Sequence, residues 1–295
     1  MHKQALSAIE ARVTKPSTSY ETIKVTPISP LIGAEISGID LSRDLSNHQF
    51  DEIHRAFLEH SVVIFRDQNL TADQHKDFGR RFGKLHVHAL QVIRTEGQGE
   101  HERLEVKATQ ASKYVAGEAW HTDVSCDLEP PKISMLHIDT IPEIGLGGDT
   151  LFANMYLAYD LLSDPMKAFL EGLTAIHDGA LPYTGAYGYK PDTPFERHEH
   201  PVVVRHPETG KKVLFVNRGF TSHIVQLTRQ ESADILEMLF RIVEITPAIT
   251  CRMRWTPNSM VMWDNRCTQH HALWDYFPLS RHGWRVSVVG ERPSA

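Results

Sequence analysis

Cysteine is scarce in this chain: three residues among 295, Cys126, Cys251 and Cys267, an odd count with no CxxC spacing. That argues against a disulfide framework, fits a reducing compartment and leaves each thiol as a small buried hydrophobe. Runs of Lys and Arg are missing too. With a formal net charge of −6 and a pI near 6.3, the chain lacks the clustered basic surface that nucleic acid requires. No segment approaches the roughly 20 apolar residues of a membrane span. Neither nucleic acid nor membrane is therefore an expected partner; a small molecule is. The first residues, MHKQALSAIEARVTKPSTSY, lack an apolar signal core and carry Glu10. They read as a flexible extension over residues 1–20, ahead of one domain over 21–295 in a cytoplasmic protein. No internal repeat, low-complexity tract or linker divides that domain.

What the chain does have is an ordinary globular composition, 41% hydrophobic and 23% charged residues, enough for a sizeable core. Ser46 and Gln49 spell a capping box, followed by Phe50, Ile53, Phe57 and Leu58 at helical spacing. Thr71 and Gln74 spell a second, opening a helix with Phe78 and Phe82 four apart on one face. Between them SVVIFRDQ (61–68) reads as a buried strand. After Gly83 the chain becomes irregular, and strands are then expected at 131–139, 149–155, 201–207, 211–217, 249–255, 259–265 and 284–290. A helix around 157–172 has Pro165 opening its second part after Ser163, and one around 229–245 is capped by Thr228 with Glu231 at the third position. This pattern predicts a mainly β (α+β) fold with a jelly-roll (double-stranded β-helix) core and flanking helices. LPYTGAYGYKPDTPFERHEH (181–200) has no period and reads as a structureless lid or binding loop.

Eighteen histidines make the tripeptide His-x-Asp/Glu cheap, and it occurs at His75/Asp77, His121/Asp123, His137/Asp139 and His206/Glu208. Inside a helix, residues two apart diverge, which removes His75/Asp77. His206/Glu208 falls at the Pro-Glu-Thr-Gly turn of a hairpin, a place normally given to solvent. His137 sits in an apolar strand, where a histidine is usually a hydrogen-bonded core residue. In extended backbone, His121 and Asp123 can present an imidazole and a carboxylate to one point. A third ligand is available at His270 or His271, in WDNRCTQHHALWDY (263–276). Two imidazoles and a carboxylate on one face of a metal suit a non-haem Fe(II) oxygenase. Arg281 and Arg285, four apart in an extended segment, add two positive forks on one side, able to grip two anionic groups.

The combination of WHTD (120–123), GGDT (147–150), MWDNRCTQHHA (262–272) and the Arg281/Arg285 pair resembles the Fe(II)/2-oxoglutarate-dependent dioxygenases of the taurine dioxygenase (TauD/TfdA) family. The resemblance extends over nearly the whole chain after the extension, from VTPISPLIGAEISGIDLSRDLS (25–46) to VVGERP (288–293). It implies Fe(II) ligated by His121, Asp123 and His270, with His271 left as a neighbour. It implies further that Thr150 and Arg281 bind the distal carboxylate of 2-oxoglutarate, and that Arg285 and His88 bind the substrate's anionic group. Phe220 and Tyr183 correspond to aromatic walls of the substrate site. Related halogenases lack the carboxylate, so Asp123 points to hydroxylation. The expected reaction consumes O2 and 2-oxoglutarate, releases succinate and CO2, and hydroxylates a C–H bond of a small anionic substrate. For an organosulfonate, collapse of the product gives an aldehyde and sulfite. Alkyl sulfate esters and aryloxyalkanoates are the competing substrates.

Two positions depart from the taurine enzymes: Gly117 stands where they have an asparagine before WHTD, and Gln91 where they have a tyrosine after HxH. The segment 94–117 is also longer and is expected near the mouth of the site. These changes imply a larger or less cationic substrate than taurine. A zinc-dependent hydrolase could use the same three ligands, but the arginine pair and Thr150 then have no task. A non-catalytic jelly-roll binding protein has no need of the triad. Family members are commonly dimers or tetramers, so a homo-oligomer is expected.

Overall fold

The computed structural model describes residues 3–14, 18–95, 101–190 and 194–295. Residues 1–2 and 15–17 of the expected extension, 96–100 of the long segment and 191–193 of the long loop lie outside the described residues. The first strands are β1 (Lys24–Pro27), β2 (Ala34–Ser37), β3 (Val62–Phe65), β4 (Leu104–Ala108) and β5 (Ile133–Thr140). They are followed by β6 (Thr150–Asn154), β7 (Thr174–Asp178), β8 (Arg197–Pro201), β9 (Val203–Arg205) and β10 (Lys212–Leu214). The last are β11 (Thr221–Ile224), β12 (Thr250–Met253), β13 (Ser259–Asp264), β14 (Thr268–Ala272) and β15 (Arg281–Val288). The α-helices are α1 (Lys3–Val13), α2 (Asn47–His60), α3 (Ala72–Arg80), α4 (Ala89–Arg94), α5 (Met155–Asp160), α6 (Asp164–Leu170) and α7 (Arg229–Ile245).

Seven strands form the larger sheet in the order β1-β2-β3-β13-β5-β15-β4, antiparallel except at the β2/β3 junction. Smaller sheets, β12-β6-β14, β11-β7-β8 and β10-β9, supply the second layer of the jelly roll. Alternation along the central strands gives the larger sheet two apolar faces. Val63, Phe65, Met135, Met260 and Met262 face Ile53 and Phe57 of α2 and Phe78 of α3. Their sequence neighbours Val62, Ile64, Leu136, Val261 and Trp263 face inward, onto Phe152 of β6 and Met253 of β12. Because both faces are covered, these strands read as unbroken apolar runs rather than half-polar ones. Both expected capping boxes are present, Ser46 with Gln49 and Thr71 with Gln74, and Thr228 with Glu231 forms a third.

Four local expectations need correction. The helix expected at 157–172 is two helices, α5 and α6, with Ser163 as N-cap of the second and Pro165 in its first turn. The strand expected at 201–207 divides between β8 and β9, which belong to different sheets. The loop 181–200 is not structureless: Leu181–Ala186 forms a π-helix and Arg197–Pro201 forms β8. Its order comes from packing of Tyr183 on Phe195, with ring centroids 4.7 Å apart, and from β8 pairing with β7. Lastly, His206 is not given to solvent. It is buried, its Nδ1 accepts from the backbone N–H of Glu208 and Thr209, and its Nε2 donates to Asp264 Oδ2 at 3.0 Å. By contrast His137 is the hydrogen-bonded core residue expected of a strand histidine, 2.7 Å from the Gln68 carbonyl. All three cysteines are free and buried.

Candidate active site

His270 lies on β14, and His121 is joined to it by an isolated antiparallel bridge. Each residue's N–H donates to the other's carbonyl, at 3.1 and 2.9 Å. Residues that exchange both hydrogen bonds stand directly opposite and project to the same side, and the two imidazole centroids are 4.1 Å apart. Two residues on, Asp123 is followed by Val124 at φ 48°, a left-handed conformation that is unfavourable for a β-branched residue and tends to mark functional sites. The Asp123 carboxylate lies across from the rings, with Oδ1 3.6 Å from His121 Nε2 and 4.0 Å from His270 Nε2.

The hydrogen bonds around the triad set its protonation. His121 Nδ1 lies 2.7 Å from the Ala119 carbonyl, so that nitrogen donates and Nε2 keeps its lone pair. Burial drives the His270 imidazole well below its usual range, which keeps it neutral. Burial alone would raise the Asp123 carboxyl, but the Arg285 guanidinium beside it holds it well below the usual carboxylate range. Ser134 Oγ donates to Asp123 Oδ2 at 2.7 Å, and Arg285 Nη1 donates to Oδ1. Two glycines make room for the His121 ring: a Cβ at Gly219 would lie 2.7 Å from His121 Cβ, and one at Gly117 (φ +88°) 3.1 Å from its Cε1. The three donor atoms lie within 4.8 Å of one another. Ligand bonds of roughly 2.1 Å allow two donors on one ion to stand at most about 4.2 Å apart, so both separations to Asp123 fit a common divalent cation. The donor set, two imidazoles and one carboxylate, is right for it.

Arg281 and Arg285 are both buried on one face of β15. Arg281 Nη2 donates to Thr150 Oγ1 at 3.3 Å, and Trp255 Nε1 donates to the same oxygen at 3.0 Å. Since Thr150 Oγ1 already accepts twice, its own hydrogen is left for a third group. The Nε atoms of both arginines are buried without a partner among the described residues. His88 Nδ1 accepts from Leu90 N–H at 3.1 Å, so its Nε2 carries the hydrogen in the neutral ring, 3.4 Å from Tyr183 Oη. Burial holds the Tyr183 phenol well above its usual range. Phe220 packs between Tyr183 and His121, its centroid 5.8 and 6.3 Å from theirs.

These side chains border one cavity of about 550 Å3. His121, Asp123, His270, Thr150, Arg281, Arg285, His88, Phe220 and Tyr183 all line it. Gln91 is buried on α4 but does not line it, and His271 points elsewhere, its Nδ1 3.0 Å from the Ala272 carbonyl. Ser134 and Trp255 are contributors that sequence reasoning missed. Ser134 left one signal, a hydroxyl at an inward-facing position of the apolar run 131–139; Trp255 left none.

A second set of potential ligands, His206, Asp264 and Cys267, also lies within 4.8 Å, but its lone pairs are spent on protein. Asp264 Oδ1 accepts from Arg266 N and Nε at 3.0 and 2.9 Å, and Oδ2 from His206 Nε2 and Arg266 Nη2 at 3.0 and 2.8 Å. Burial pushes the Cys267 thiol upward, away from the thiolate a metal requires.

A jelly roll that brings two histidines, a carboxylate and two arginines into one cavity defines a class, the metal- and 2-oxoacid-dependent oxygenases. Residues 24–287 match the family described as "Taurine catabolism dioxygenase TauD, TfdA family", and the chain belongs to it. It is 38% identical over 289 residues to an alpha-ketoglutarate-dependent sulfonate dioxygenase of Saccharomyces cerevisiae, covering 92% of this chain and 68% of that one. It is 35% identical to an alkylsulfatase of Acinetobacter baylyi, covering 92% and 86%. A taurine dioxygenase crystal structure from Burkholderia xenovorans resembles it with TM-score 0.78 and 38% identity, covering 92% and 93%. The chain is thus a 2-oxoglutarate-dependent dioxygenase acting on a small molecule.

Proposed function

We propose that the enzyme is a single catalytic domain over 21–295 that uses Fe(II), O2 and 2-oxoglutarate to hydroxylate an organosulfonate, giving succinate, CO2, an aldehyde and sulfite. The observation that carries this reading is the convergence of His121 Nε2, His270 Nε2 and Asp123 Oδ1 beside two buried arginines. Bound to those three atoms, Fe(II) supplies the oxygen-activating chemistry that couples decarboxylation of 2-oxoglutarate to hydroxylation. The chain's own residues position the reactants. Arg281 and the outward hydrogen of Thr150 grip the distal carboxylate of 2-oxoglutarate. Arg285 Nε–H and His88 Nε2–H hold the sulfonate, while Arg285 Nη1 stays on Asp123. Phe220 and Tyr183 close the wall and exclude water. An alkyl sulfate ester is the second reading, favoured by the likeness to the A. baylyi alkylsulfatase; aryloxyalkanoates are a third. We place the protein in the cytoplasm as a homodimer or homotetramer. A visible absorption band on anaerobic addition of 2-oxoglutarate to the Fe(II) protein, followed by succinate release with oxygen and a sulfonate, tests the reading; neither signal with fully loaded protein would overturn it.

The two arginines should separate kinetically. Each supplies charge-assisted hydrogen bonds worth about 1.5–3 kcal/mol, so Arg281→Ala is expected to raise the KM for 2-oxoglutarate by roughly 10- to 100-fold. Arg285→Ala acts mainly on the prime substrate. Steady-state titration of each reactant checks this, and a reversed pattern shows the assignments to be swapped. Trp255→Phe removes only the N–H that fixes Thr150, and should weaken anaerobic 2-oxoglutarate binding by about threefold to tenfold. The same change made on Thr150→Val should cost nothing further, because the two effects share one hydroxyl.

A further inference from the structure

The cavity is larger and more apolar than a two-carbon aminosulfonate requires. 2-Oxoglutarate has ten heavy atoms and taurine seven. Even at the roughly 30 Å3 that a water occupies in the liquid, the pair falls short of the cavity's about 550 Å3. The surplus has a definite wall. On β4, Leu104 stands opposite Arg285, Val106 opposite Gly283 and Ala108 opposite Arg281. Cross-strand partners project to the same face, so the two guanidiniums share theirs with an apolar stripe. Glu105 and Lys107 alternate onto the other face, where Glu105 accepts from His282 Nε2 at 3.2 Å.

Bordering the same cavity, the rings of Tyr114 and Tyr187 stack at 4.8 Å with an interplanar angle of 17°. Gly117 N–H donates to Tyr187 Oη at 2.9 Å, pinning the pair beside the His121 ring. All of these residues border the same cavity. Its bordering carboxylates are Asp123 and Glu105, both committed, to Arg285 and to His282. Arg218, one of its bordering cations, is likewise held, by Glu237 and Glu244 at 3.0 and 2.7 Å. Among the described residues, no carboxylate is left to receive a substrate ammonium, and burying one unpaired is costly.

We infer that Leu104, Val106 and the Tyr114–Tyr187 stack form a tail chamber, and that the substrate is an organic anion with an uncharged apolar tail, alkyl or aryl, of about six carbons or more. This deepens the functional reading above and rests on it for the anionic head.

The test is a series of linear 1-alkanesulfonates from two to ten carbons, with 2-aminoethanesulfonate beside them. Affinity is measured calorimetrically on protein loaded anaerobically with Fe(II) and 2-oxoglutarate, and turnover separately as succinate. Affinity should climb by up to roughly fourfold per buried methylene, reaching at least tenfold between two and eight carbons, with the aminosulfonate weakest. Tyr114→Ala and Leu104→Gln should each cut the eight-to-two-carbon selectivity ratio by about tenfold, a ratio that partial misfolding leaves unchanged. Flat affinity across the series, preference for the amine, or an unaltered ratio in both variants overturns the inference. Rising affinity without turnover would sink the sulfonate-hydroxylation reading while leaving the chamber standing; turnover with flat affinity would do the opposite.

Discussion

Asp123→Ala is expected to abolish oxygen-dependent succinate formation, well beyond the roughly 10- to 100-fold loss seen when an outer hydrogen bond to a metal ligand is removed. The alanine removes one of three donor atoms and the only charge among them. It also takes from Arg285 Nη1 and Ser134 Oγ the carboxylate that accepts from them. A guanidinium then faces two imidazoles with no anion between them, which opposes cation binding directly. Iron content after reconstitution and the melting temperature should be read together with turnover, because loss of iron in a folded protein isolates the ligand effect. His121→Ala is the companion variant. Wild-type turnover in either would remove the ligand assignment.

The second large effect is on stability. Asp264 ends β13 and accepts four hydrogen bonds, from Arg266 and His206, with nothing exposed to water. Asp264→Ala strands the buried His206 donor and leaves the Arg266 guanidinium to Glu208 and Glu291, and removing one partner from such a knot costs about 3–5 kcal/mol. Denaturant unfolding should register that loss. Because residues 265–267 connect β13 to β14, the strand bearing His270, the variant should also lose iron affinity, whereas a loss below about 1 kcal/mol would show the knot to be dispensable. Replacing the whole cluster by apolar residues should be far milder, since no unpaired charge remains.

The positions of these residues were unevenly legible in the sequence. Strongly capped helices and doubly covered strands announce themselves, because capping boxes and apolar runs are local signals. His121, Asp123 and His270 were legible through short motifs, and Arg281 and Arg285 through their spacing on one strand. Less legible was whatever depends on a partner distant in the chain. β4 carries the polar Glu105 and Lys107 on an edge of the sheet, so its apolar half is too thin to read as a strand until β15 lies beside it. β8, spelled Arg-His-Glu-His-Pro, is ordered by β7 and by His200 bonding to the Asp127 carbonyl. His206 looked solvent-bound because its turn is polar; the carboxylate that draws it inward is 58 residues away. Gln91 stands at a family position yet does not line the cavity, since a motif fixes order along the chain and not the direction a side chain takes.

The reciprocal main-chain bonds between His121 and His270 have a practical corollary for handling the protein. Backbone amides hold the two rings in register, so the metal need not organise its own socket and chelation should yield an intact apoprotein. Different divalent ions could then be exchanged into one preparation under argon, and their colours and magnetism compared without refolding between samples.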